Sequence, residues 1–475
     1  MNMDWSLISV EIITAGFGIL LLLIGMVTPR SQRKSIGNLT GLVFIGLLAL
    51  TISMANVNDT FMGMYTIDPY ATFFKAIFLL SGILVIFASN EWIQKRGEYQ
   101  IEFYTLITFA TLGMMVLASA SDLITTYVGV ELMTISFIIL TAFSKENAKS
   151  AEAGLKYLIL GAVSSAILLY GLTLVYGIVG SVYFTDITAA VAQGIEPAML
   201  LAIIFVIVGF AFKLAIVPFH MWSPDVYEGA PSLITALLSV ASKAAAFAIF
   251  VRLMVVGFEG TLDAWVVLLI VLAVLTLILG NLVAIPQTNI KRLMAYSGIG
   301  HAGYIILGLI AYSELGITAV LFYSFIYVFT NLGAFIVIVA YENATGSTEI
   351  KDYAGLSTRA PLLSTVMLVC LLSLAGLPPL SGFIGKFFLF TAVIEQGYIW
   401  LAMLALGMSL VSVYYYLMIV KVMYLGEPKS DEPIAISSGM KFGLMVCLVV
   451  TVVLGVYPTP ILELAALAAQ AFMPF

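Results

Sequence analysis

Charge is the scarcest property of this 475-residue sequence: only 10% of its residues are Asp, Glu, Lys or Arg, while 62% are hydrophobic. Mean hydropathy is +1.11. A water-soluble domain of this length could not hide so much apolar surface, so lipid must be the solvent for most of the chain. Cysteine is nearly absent. Cys370 and Cys447 stand far apart in apolar runs with no CxxC, which excludes a cysteine-ligated iron–sulfur cluster and argues against a zinc site. Both read as small apolar packers. The two histidines are too few for paired haem ligation beyond a single site. No basic run exceeds three residues, which excludes nucleic acid as a partner, and the net charge of −6 says little when charges sit in short loops. The N-terminus carries Asp4 and Glu11 but no basic region ahead of its apolar run, so it does not read as a cleavable signal peptide.

What is present is a series of long apolar stretches. Approximate spans are 7–28, 36–54, 69–90, 102–120, 122–143, 151–180, 196–222, 230–256, 262–285, 293–312, 316–341, 361–395, 398–424 and 440–458, numbered helices 1 to 14. The stretch 361–395 is too long for one straight helix and contains the breaker Leu377-Pro378-Pro379-Leu380. An Ala/Leu-rich tail after 458 reads as a short surface or part-buried helix, and no polar gap is long enough for a soluble domain. With each loop numbered by the helix it follows, Arg30, Arg33, Lys34, Lys95, Arg96, Lys145, Lys149, Lys291, Arg292, Lys351, Arg359, Lys429 and Lys441 all fall in odd loops. The even loops hold no lysine or arginine, and loop 7 carries Asp225 and Glu228 instead. The positive-inside rule then places the odd loops in the cytoplasm and both termini outside.

The remaining basic residues fall inside the apolar stretches. Lys75, Arg252 and Lys421, with Glu11, lie near helix ends, where snorkelling to the interface is expected. Lys213, Lys243, Lys386 and Glu131 sit too deep for that. Each costs about 2.5–3.5 kcal/mol on insertion scales, on the order of 10 kcal/mol together. Static ion pairs that fix helix positions are one explanation. A proton relay is the other: burial favours a neutral amine and a nearby carboxylate favours the ammonium, so a Glu–Lys pair that opens and closes can take up and release a proton. Lys156 lies near the start of helix 6 with Glu152 four residues before it, and an ordinary helix-end pair fits that spacing equally well.

Helix 7 contains Lys213, Pro218 and His220, and helix 12 contains Pro378, Pro379 and Lys386. Proline removes a backbone donor, and in lipid the freed carbonyls need partners, so such breaks belong inside protein or against water. Two broken helices five apart in order, each with a buried lysine, point to two structural repeats and to ion sites at the breaks. A simple kink is the plainer alternative for either alone. His220 and His301 are either hydrogen-bonded core residues or near-neutral relays between lysines. Gly298-Ile-Gly300-His-Ala-Gly303 matches GxGxxG, but no strand precedes it, so close helix packing explains these glycines better than a dinucleotide.

Several strings then carry a resemblance. PFHMWSPDVYEGAP (Pro218 to Pro231), followed by Lys243 in SVASKAAAFAIFVRL, resembles the subunit N group of the antiporter-like membrane subunits of respiratory complex I. YSGIGHAGY around His301, LAGLPPLSGFIGKF before and at Lys386, and DLITTYVGVELMTIS around Glu131 are similar to other motifs of that family, and the likeness covers essentially the whole chain. One departure is that SGIGHAG has glycines where Ser and Leu or Met are expected. The resemblance implies an all-α membrane protein of about 14 transmembrane helices with two inverted five-helix repeats. Residues 1–101 would form helices 1–3, residues 102–256 the first repeat (helices 4–8), residues 257–424 the second (helices 9–13), and residues 425–475 helix 14 and the tail. By the same resemblance Glu131 pairs with Lys213, His220 and Lys243 form the central relay, Lys386 is the terminal lysine, Lys156 is a helix 6 lysine, and His301 is the helix 10 histidine. The implied function couples quinone reduction elsewhere in the complex to proton transfer. Quinone, flavin and iron–sulfur clusters would be bound by other subunits and none by this chain. Its partners would be neighbouring membrane-arm subunits, antiporter-like ones among them, and the bilayer of a bacterial plasma membrane. Rivals are an Mrp-type sodium/proton antiporter subunit, against which the intact PDVYEGAP string argues, a stand-alone solute transporter, and a purely structural membrane subunit.

Overall fold

The structure is a computed structural model that describes residues 4–28, 35–96, 99–194, 197–428, 430 and 432–472. Arg30, Arg33, Lys34, Lys429 and the side chains of Lys95 and Arg96 lie outside the described residues. Among the described residues, thirteen helices are long and apolar enough to cross a membrane. Helix 12 makes a further crossing in two short pieces, Pro361–Ala375 and Ser381–Glu395, which restores the fourteen expected from hydropathy. Among the described residues, strand is limited to a hairpin, Asp59–Phe61 paired with Tyr65–Ile67, in the loop after helix 2. The tail forms the helix Thr459–Phe472.

Helix ends follow local chemistry. The side chains of Asp122, Asn147, Asn289 and Ser437 accept from backbone N–H groups in the first turns of helices 5, 6, 10 and 14. The Asn289 cap starts helix 10 at Ile290, so Lys291 and Arg292, expected in loop 9, sit in its first turn. Helices 8, 10 and 11 are buried along nearly their whole length and form the centre, while helices 1, 2, 6, 13 and 14 lie at the periphery. Outward-facing Val267, Met403 and Leu410 are 62%, 63% and 65% exposed, as a lipid-facing surface requires.

Both broken helices satisfy the groups they free. Helix 7 runs as Pro197–Leu214, turns through residues 215–221, and resumes as Trp222–Gly229. The Trp222 indole donates to the Phe212 carbonyl at 2.8 Å, and the Val217 N–H donates to Thr276 Oγ1 at 3.0 Å. In helix 12, Gly376 ends the first piece with φ of 85°, a left-handed conformation that glycine adopts without strain. The Gly382 N–H then donates to Ser373 Oγ at 3.0 Å. Helix 8 departs from expectation in another way. It spans Ser232–Gly257 as one rod but widens into π-helix at Leu238–Ser242 and Leu253–Gly257, immediately before and after Lys243–Arg252. Such widening recurs at functional sites because it shifts side chains off the regular register.

Snorkelling is corrected for three of the four residues to which it was assigned. Lys75 and Glu11 are 4% and 7% exposed and pair with each other at 3.0 Å. Arg252 is 4% exposed and grips Asp68 through two hydrogen bonds of 2.8 and 2.9 Å. The cause is tertiary: these partners come from segments far apart in sequence that meet beneath the hairpin. Lys421 is exposed and keeps the snorkelling reading. Arg252→Ala would leave the Asp68 carboxylate without its cation and is expected to destabilise the protein by about 3–5 kcal/mol, whereas Arg252→Met with Asp68→Asn, which keeps a side-chain oxygen for the Ala71 N–H, should cost less. Thermal unfolding in detergent compares them, and equal midpoints for the two variants would contradict this.

Candidate functional site

Lys213, Lys243 and Lys386 are 4%, 4% and 3% exposed. Among the described residues none of them forms an ion pair with a carboxylate. Neutral dipoles hold them instead. Lys386 Nζ donates to the Leu374 and Ala375 carbonyls at 2.9 and 3.0 Å and to Ser409 Oγ at 2.8 Å. Those carbonyls end the first half of helix 12, where the helix dipole presents partial negative charge to a cation. Lys213 Nζ donates to Thr134 Oγ1 at 2.9 Å and is 3.4 Å from Ser165 Oγ. Lys243 Nζ donates to the Gly298 carbonyl at 2.8 Å. The static ion-pair explanation therefore fails for these three lysines.

Glu131 lies mid-way along helix 5 (Leu123–Thr141) and is half-buried. It shares the outward stripe of that helix with exposed Ile124, Val128 and Ile135. Lys213 reaches Thr134, one turn on, so the expected Glu131–Lys213 contact is not formed here. Glu131 Oε1 is buried with no hydrogen-bond partner among the described residues. His220 sits half-buried in the turn of broken helix 7, and among the described residues it is hydrogen-bonded to neither Lys213 nor Lys243.

His301 is at the centre of a polar cluster. Nδ1 is 2.7 Å from Tyr323 Oη and Nε2 is 3.2 Å from Tyr416 Oη, which in turn contacts Ser297 Oγ. A neutral imidazole offers one donor and one acceptor, and phenols can play either role, so the ring can exchange tautomers without losing partners. A small cavity lies between His301 and Lys243. On the other side, Tyr304 packs edge-on to His301 and lies 4.7 Å beneath Lys386 Nζ. Lys243, His301 and Lys386 thus share one buried polar tract through helices 8, 10, 11, 12 and 13. The tyrosines are what sequence reading missed. A signal was available: Tyr323, Tyr327 and Asn331 recur every four residues, one polar stripe on the apolar helix 11.

Lys156 belongs elsewhere. It pairs with Glu152 at 2.9 Å, as its spacing allowed, and also with Asp225 at 2.7 Å, with 41% of its side chain exposed. Arg292 reaches Asp225 at 2.7 Å and Glu228 at 3.2 Å, and Lys149 reaches Glu228 at 3.6 Å. The group rims a cavity of about 220 Å³ on the face of the odd loops. Burial pushes the Asp225 carboxyl up, but hydrogen bonds from Lys156 and Arg292 outweigh it and hold the group below the usual carboxylate range. Just inside, Lys291 is 3% exposed and donates to the Ala230 carbonyl at 2.9 Å.

The family described as NADH:quinone oxidoreductase/Mrp antiporter, TM, matches residues 120–412. NADH-quinone oxidoreductase subunit N of Moorella thermoacetica is 52% identical over 468 residues, covering 98% of each chain. The chain belongs to the subunit N family of NADH-quinone oxidoreductases. A chain of respiratory complex I from Thermus thermophilus superposes with a TM-score of 0.83 at 33% identity, covering 96% of this chain and 99% of that one. A chain of the Mrp complex from Dietzia gives a TM-score of 0.85 at 22% identity, covering 97% of each, which shows a shared fold alone. Full-length identity thus favours the subunit N family over an Mrp-type antiporter. The fold matches that of the complex I chain, and helices 7 and 12 are broken.

Because Asp225 is depressed when folded, its contribution is present above about pH 4 and is lost as pH falls through the lowered value. Asp225→Asn should lower stability by no more than about 1 kcal/mol at neutral pH, since the pairs are part-exposed. The gap to the parent in thermal midpoint should close below pH ~4; a gap unchanged by acid would contradict the assignment.

Proposed function

We propose that this chain carries protons through the membrane arm of a quinone-reducing respiratory complex, as an N-type subunit beside other membrane-arm subunits. The observation that supports it best is the set of buried lysines held by neutral dipoles, of which Lys243 and Lys386 flank His301. A cation locked to a carboxylate is costly to discharge, because its partner is left charged and buried. An amine held by carbonyls and hydroxyls leaves no such charge behind when its proton departs. Each of Lys213, Lys243 and Lys386 can then cycle between ammonium and amine, and His301 accepts a proton on one nitrogen while releasing one from the other.

In this reading Glu131 sets the first step. A change at its half-buried face, driven from the neighbouring subunit, brings the carboxylate to Lys213 or away from it, and so favours or disfavours the ammonium there. The proton passes by water past His220 to Lys243, then by His301 to Lys386 beside the break in helix 12. Lys156, at the rim with Asp225, serves proton uptake at the odd-loop face. Redox chemistry belongs to other subunits, and quinone, flavin and iron–sulfur clusters are read as bound there. Two lone cysteines cannot supply a four-cysteine cluster. The division at residues 101, 256 and 424, a bacterial plasma membrane location and outward-facing termini belong to the same reading.

Lys213→Ala, Lys386→Ala and Glu131→Ala, each in the assembled complex in liposomes, are expected to lower proton transfer coupled to quinone reduction. Full pumping together with full quinone reduction in all three would reject the relay.

A further inference from the structure

We propose that Gly298 and Tyr327 form a one-water slot joining Lys243 to His301, with the Tyr327 hydroxyl positioning the water that carries the proton between them. This rests on the relay reading above and names the means of its central step. The cavity between the two residues is about 10 Å³, the volume that admits a single water. Its wall is almost wholly apolar, and the polar residues that border it, Lys243, Gly298, His301, Ser324 and Tyr327, show it only a few polar atoms. The slot exists because residue 298 has no side chain. A Cβ there would stand 2.9 Å from Lys243 Nζ and 3.2 Å from Tyr327 Oη. The amine and the phenol therefore lie within about 6 Å of each other across that space, a separation that one bridging water spans with two ordinary hydrogen bonds.

Tyr327 Oη is buried and has no partner among the described residues, a costly state unless water meets it. The Tyr327 ring lies 5.1 Å from that of His301, so the hydroxyl serves the cavity and not the imidazole nitrogens, which bond Tyr323 and Tyr416. The other glycines of this motif do different work. A Cβ on Gly300 would meet the Asn281 side-chain amide at 3.1 Å, and one on Gly303 would meet Leu277 at 3.0 Å, so both serve the crossing of helices 9 and 10. In the transfer, the Lys243 ammonium gives a proton to the water oxygen. The water gives one of its own to an imidazole nitrogen of His301 released from its phenol, the 3.2 Å contact to Tyr416 being the weaker. Lys243 ends as the amine, His301 as the imidazolium, and the water is regenerated.

The test uses the assembled complex in liposomes, reading proton flux per quinone reduced for Lys243→Ala, Tyr327→Phe, Gly298→Ala and Gly298→Ser. Tyr327→Phe and Gly298→Ala should lower coupled flux as far as Lys243→Ala does. Gly298→Ser, close in size to Gly298→Ala, places a hydroxyl where the water stands and should retain most of the flux, a separation that a packing role would not produce. If Lys243→Ala impairs pumping while Tyr327→Phe and Gly298→Ala pump fully, the slot is refuted and the relay stands. If Lys243→Ala pumps fully, the relay falls and the slot with it. A high-resolution density map of the parent complex gives a second readout: water within about 3.2 Å of both Lys243 Nζ and Tyr327 Oη supports the slot, and a dry cavity overturns it.

Discussion

Lipid offers no hydrogen bonds, and every exception to a continuous helix in this molecule is shaped by that fact. A backbone carbonyl freed at mid-membrane must find a donor inside the protein. At the break in helix 7 the Trp222 indole meets the Phe212 carbonyl, and at the break in helix 12 Lys386 meets the carbonyls of Leu374 and Ala375. The second solution does two things at once. The carbonyls gain a donor, and a buried ammonium gains three acceptors at the negative end of a half-helix. Proline and lysine at that place are one device, since the break without the cation leaves the Leu374 carbonyl without its donor and Ala375 with Ser409 Oγ alone, and the cation without the break has no carbonyls to hold it.

The protein buries charge in two different ways, and the difference separates structure from function. Glu11 with Lys75, and Asp68 with Arg252, are matched pairs that tie the N-terminal helices to helix 8 beneath the hairpin. Each partner holds the other ionised, which suits an anchor. Among the described residues, Lys213, Lys243 and Lys386 donate their hydrogen bonds to hydroxyls and carbonyls. Such surroundings tolerate both protonation states, which suits a carrier. Residue type alone does not separate the two classes, because each contains basic side chains inside apolar runs.

Much of the fold was legible because hydropathy is a one-dimensional property. Fourteen apolar runs, interrupted at Pro218 and at Pro378-Pro379, predict the crossings and both breaks, and capping residues such as Asn289 shift only their ends. Lys213, Lys243 and Lys386 stood out because mid-membrane charge is expensive wherever it occurs. The tyrosines around His301 did not stand out. Tyrosine is ordinary in membrane proteins, and only the four-residue rhythm of Tyr323, Tyr327 and Asn331 hinted at a shared face. The π-helical widening before Lys243 was likewise invisible, since no residue there breaks helical propensity.

The sequence by itself determined the solvent, the number of crossings, the two breaks and the residues whose charge must be explained, because each follows from transfer energies and backbone chemistry that act locally. Tertiary structure alone decided which charges are paired, which face of helix 5 Glu131 occupies, and that Gly298 opens a cavity instead of a helix crossing. Partners such as Glu11 and Lys75, or Lys243 and Gly298, come from separate helices, and only packing fixes which side chains converge on the same few ångströms.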